Sequence, residues 1–134
     1  MAGKTSSAEA AKTRADWVAL VERILSQIEG WAEQNGWPVH RETKEITEEA
    51  LGTYAVPVLQ IKLPGGRLYV EPVAREVVGA EGRIDLYSWP GLHRLLLVRS
   101  GGKWALKTDS RVGWPDAWGK RAFTRAAENL TNAP

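Results

Sequence analysis

The chain contains no cysteine. Disulfides, thiolate metal sites and cysteine nucleophiles are therefore excluded within it, which suits a reducing compartment. Histidine is nearly absent too: His40 and His93 lie on different segments, with no serine or carboxylate at a diagnostic spacing. No nucleophile–base–orienter triad is legible. No apolar run approaches the length needed to span a bilayer. Met1 to Thr13 lack an apolar signal core, so the expectation is a cytoplasmic protein without a membrane partner. Pro64-Gly65-Gly66 and Ser100-Gly101-Gly102 are not followed by helices, so neither is a phosphate loop. The acidic stretch from Glu42 to Glu49 lacks the ligand spacing of a calcium loop. No cofactor, no metal and no catalytic residue is expected from these patterns.

What is present describes one ordinary domain. The chain has 134 residues, 43% hydrophobic and 25% charged, enough to bury a core without staples. Residues 1–6 read as a tail and 7–134 as a single domain. Ser6 and Glu9 match a capping box, with Thr13 and Asp16 as a second possible start. Trp17, Leu20, Val21, Ile24, Leu25, Ile28 and Trp31 then recur at helical spacing and predict a long amphipathic helix. Asn35-Gly36 stops it and Pro38 prevents its continuation.

From Tyr54 the period becomes two. Leu59, Ile61 and Leu63 alternate with Gln60 and Lys62. Leu68 and Val70 share one face, Tyr69 and Glu71 the other. Ile84, Leu86 and Ser88 alternate with Asp85, Tyr87 and Trp89. Arg94 to Val98 reads as a strand covered on both faces, and Trp104 and Leu106 continue the pattern beyond a Gly-Gly turn. Pro38 to Ile46 could add a charged edge strand. Phe123, Ala126, Ala127 and Leu130 predict a short C-terminal helix. Short turns favour antiparallel neighbours. The expected fold is α+β: a long N-terminal amphipathic helix, an antiparallel meander of four to five strands, and a short C-terminal helix packed on the sheet.

Charge and tryptophan are unevenly placed. Residues 1–82 hold nine Lys or Arg against twelve Asp or Glu, whereas 83–125 hold nine against three. Such a split reads either as two halves that neutralise each other or as a surface for an anionic partner. Of the seven Trp, Trp37, Trp89, Trp114 and Trp118 fall in expected turns and loops. The stretch Ser110 to Trp118 joins two of them with Arg111. Arg94, Arg99, Lys107, Arg111, Trp114 and Trp118 are the candidate binding residues, because cations beside exposed rings suit phosphates and stacked bases.

The segment Gly82-Arg83-Ile84-Asp85-Leu86 is similar to the metal-binding strand of PD-(D/E)xK nucleases. There an Asp strand follows a helix carrying Glu and precedes a Glu-x-Lys strand. Glu22 and Glu29 lie on the helix here, but the strands from Arg94 to Arg99 and from Lys103 to Lys107 contain no Glu-x-Lys. The resemblance implies an inactive, nucleic-acid-associated relative. Read without it, Asp85 is a surface carboxylate paired across the strand with Arg94 or Lys107. The leading expectation is a non-catalytic module that binds another protein. The alternative is a nucleic-acid-associated protein, that degenerate nuclease type among the candidates. A homodimer through an edge strand is also open.

Overall fold

The computed structural model of the chain describes residues 7–89, 93–108 and 117–132. The expected tail at 1–6 and the candidates Arg111 and Trp114 lie outside these residues. Helix α1 spans Ser7–Gln34 and buries Trp17, Val21, Ile24, Leu25, Ile28 and Ala32. Five of the seven positions expected from the sequence are buried, Leu20 and Trp31 are partly buried, and Ala32 joins the stripe. Its end is a paired Schellman motif. The Trp37 amide donates to the Ala32 carbonyl at 2.9 Å and the Gly36 amide to Glu33 at 2.9 Å. Gly36 takes φ of 79°, where a side chain would be strained.

Six strands follow: β1 Val39–Glu48, β2 Gly52–Leu63, β3 Gly66–Ala74, β4 Arg83–Trp89, β5 Arg94–Ser100 and β6 Lys103–Lys107. They form one antiparallel meander in chain order. The expected four to five strands are therefore six. The difference is β1, a ten-residue edge strand whose charged sequence hides the alternation that reveals its neighbours. Its polar composition suits an edge that faces water.

Two prolines shape the sheet. β2 and β3 pair from Leu63↔Gly66 to Leu59↔Val70. Continuing that register would set Pro57 opposite Pro72, and neither can donate to a ladder. Pairing stops there, and burial on β2 changes phase from Leu59, Ile61 and Leu63 to Tyr54 and Val56. Polar side chains bridge the gap. The Lys44 ammonium meets Glu71 at 2.7 Å. The Glu48 carboxylate accepts the amides of Arg75 at 3.0 Å and Glu76 at 2.9 Å, together with the Tyr54 hydroxyl.

Helix α2, Lys120–Asn132, buries Ala122, Phe123, Ala126, Ala127, Leu130 and Thr131. It lies over β3 and β4, beside α1 over β2, so both helices cover one face. The core sits between them and the sheet. Ser88, buried on that face, donates to the Leu130 carbonyl at 2.8 Å and satisfies one open end of α2. Gly65 lies close under the end of α2, where a Cβ would displace the Asn132 side chain and approach the Thr131 carbonyl oxygen to 3.0 Å. No helix of the described residues is long and apolar enough to cross a membrane.

Candidate functional site

Alternation along each strand sends every second side chain away from the helices. On β2 to β5 the helix side holds Leu59, Ile61, Leu68, Val70, Ile84, Leu86, Leu95 and Leu97, all buried. The residues between them form a helix-free face. The registers set Gln60, Tyr69, Tyr87 and Arg94 abreast across four strands. Tyr69 and Tyr87 stack with ring centroids 5.2 Å apart and planes 14° from parallel. The Arg94 guanidinium lies 4.5 Å from the Tyr87 centroid, a favourable placement of a cation on a π face. Tyr87 is thus sandwiched, and the ladder ends at the outer face of Tyr69, toward Gln60.

The next row holds two carboxylates, each already committed. Glu71 accepts from Lys44 at 2.7 Å and from the Tyr87 hydroxyl at 2.7 Å. Burial opposes its ionisation, but Lys44 and Tyr87 outweigh that and hold its pKa below the usual range. Burial and the Glu71 carboxylate push Tyr87 up to about 12. Asp85, only 1% exposed, is gripped by Arg83 through two bonds of 2.7 and 2.9 Å and by Arg94. The expected surface carboxylate is therefore buried. Its pairing with Arg94 is present, but the second cation is Arg83, two residues away on the same strand, and not Lys107.

Toward β1 the face changes character. Trp89, the last residue of β4, is 72% exposed. It faces Arg67 on β3, and Arg67 faces Lys62 on β2. Lys62 and Arg67 line a groove of about 320 Å³ with Pro38, Val39, His40, Gln60 and Ile61. Among the described residues, Lys62, Arg67 and Lys107 stand in no ion pair. An aromatic ring open to solvent and cations without counter-charges thus share one face.

The four described candidates from the sequence do not share a surface. Arg94 and Lys107 lie on the helix-free face. Arg99 lies on the other, its guanidinium 5.6 Å from the Trp104 ring, beside a small pocket of about 170 Å³ that also holds Asp16, Trp17 and Glu81. Trp118 is half-buried between the helices, 5.6 Å from Trp31 and 6.4 Å from Phe123 between centroids. It wedges α1 against α2 and offers no free ring. Lys62, Arg67, Tyr69 and Trp89 went unselected. The signal existed, since period two places each opposite the apolar set. What hid it was the grouping of Trp89 with the turns.

Among the described residues, no group of three or more His, Asp or Glu side chains is placed to hold a metal ion. Asp85 neighbours Glu71 across β3, but both carboxylates are occupied by cations. Compared with family models, curated proteins and solved structures, the chain matches none.

Proposed function

We propose that the protein is a non-catalytic binding module that takes single-stranded nucleic acid on the helix-free face of its sheet. The observation that carries this reading is Trp89, open to solvent beside the unpaired Lys62 and Arg67. Every base has a π face, and stacking on an aromatic side chain stabilises by about 1–3 kcal/mol per base. Phosphates supply the charge that the cations lack. A six-stranded face is roughly 24 Å across at about 4.8 Å per strand. That is too broad for a major groove of about 12 Å, but a single strand can lie along it. A protein partner would instead call for a contiguous apolar patch, and here Trp89 faces the cation Arg67.

The test is an anisotropy titration of labelled single- and double-stranded DNA and RNA at two salt concentrations with Mg²⁺ present. Single strands should bind, salt should weaken them, and Trp89→Ala should reduce affinity by about 5- to 100-fold. Equal binding of duplexes, an unchanged Trp89→Ala variant, or no binding at low salt would overturn the reading. Cleavage of the probe would overturn its non-catalytic part.

A further inference from the structure

We infer that the groove between β1, β2 and β3 takes the terminal phosphate monoester of the bound strand. The inference rests on the nucleic-acid reading of the helix-free face and names what lies at one end of it. The groove sits where that face runs out, because β1 is the last strand of the sheet. A chain crossing from β5 toward β2 meets Tyr69 and Trp89 and then this groove, and past β1 there is no further sheet to lie on.

The groove's chemistry suits a dianion. Lys62 and Arg67 are directly opposed cross-strand partners, so their Cα atoms are about 5 Å apart. Both line the groove, and neither has an ion-pair partner among the described residues. No carboxylate lines it. The nearest along β1, Glu42, is engaged by His40 Nε2 at 3.0 Å. Two free cations match the charge of a monoester, about −1.5 to −2 near neutral pH, better than the single charge of a phosphodiester. Arg67 adds a planar fork that can grip two phosphate oxygens together.

The site is also held in place. The Lys62 amide donates to the Pro38 carbonyl at 2.9 Å and fixes the rim. The preceding Trp37 is buried against Phe123, with centroids 6.1 Å apart. A volume of about 320 Å³ is at the low end for small-ligand sites, roughly 300–1,000 Å³. It suits a phosphate with its sugar and is too small for a folded partner.

The test compares three labelled single strands of one sequence, bearing a 5′-phosphate, a 3′-phosphate or hydroxyls at both ends. One phosphorylated strand should bind about tenfold tighter than the hydroxyl strand. Lys62→Gln combined with Arg67→Gln should abolish that difference, while Trp89→Ala weakens all three alike. Inorganic phosphate should compete away the difference and leave residual strand binding. Equal affinity of the three strands, with salt-sensitive binding retained, would overturn the groove inference and leave the face reading intact. If no strand binds, NMR with inorganic phosphate alone separates the two claims. Shifts at His40 and Lys62 that vanish in the double variant would assign the groove to a free phosphate and overturn the strand as its source. No shifts would overturn both.

Discussion

Tyr87 and Asp85 carry the tension of the helix-free face, because each places a polar group where water is scarce. Burial of Asp85 is tolerated because Arg83 and Arg94 reach it while remaining partly in solvent, at 33% and 49% exposure. Tyr87 is neutral and donates to Glu71, and its pKa rises from the ordinary 10.0 to about 12. A hydroxyl whose folded pKa is raised contributes stability that is fully present below its unfolded pKa. That stability is lost as pH climbs from about 10 through about 12. Urea titrations at pH 9 and 11.5 should therefore find the protein less stable at the higher pH. The loss should be smaller in Tyr87→Phe. Tyr54, raised in the same direction by burial and by Glu48, keeps part of the alkaline loss in that variant. Equal losses in both proteins would mean that Tyr87 ionises alike folded and unfolded. At Gly82 the constraint is steric: φ is +151° and a Cβ would collide with the Trp17 ring.

At the level of elements, α1 was legible because its apolar positions recur at helical spacing over four turns. Leu25 is fully buried on that stripe, and Leu25→Ala should destabilise by about 2–4 kcal/mol in chemical denaturation. A loss below about 0.5 kcal/mol would place the residue outside the core. Strands β2, β3, β4 and β6 were legible by alternation, and β5 by its continuous apolar run. β1 was legible only as an optional charged edge strand from Pro38 to Ile46, because its polar residues give little alternation until the partner strand is known. The β2–β3 pairing ends where Pro57 and Pro72 would oppose each other, in a register set by the turn at Pro64-Gly65. β5 departs from its expected double burial. Leu95 and Leu97 are buried but Leu96 and Val98 only partly so, since helices cover one face alone.

Across the described residues of the whole molecule, the ion pairs of Arg41, Lys44 and Asp85 each fall within one of the two charged stretches. Arg41 pairs with Glu22 and Glu29, and Lys44 with Glu71, all within the acidic stretch. Asp85 pairs with Arg83 and Arg94, within the basic one. Lys107 is left exposed on the helix-free face. If that face tracks a phosphate backbone, log K should fall linearly with log salt, by about 0.7 per phosphate contacted in a single strand. Lys107→Gln should lower the slope by about that amount and leave the preference among sequences unchanged. An unaltered slope would remove β6 from the path of the strand.

Composition and periodicity determined the helix stripe, the strand parity, the antiparallel order and the absence of cysteine chemistry, because these depend on neighbours along the chain. The candidate site did not follow from them. Trp89 and Trp118 look alike as residues beside expected turns, yet one projects into solvent and the other is clamped between Trp31 and Phe123. Arg94 and Arg99 lie on one strand five residues apart, and that odd spacing puts them on opposite faces. Which face stayed open was decided by where α1 and α2 packed. That is a matter of burying two apolar stripes against one sheet surface, and only the tertiary structure settles it.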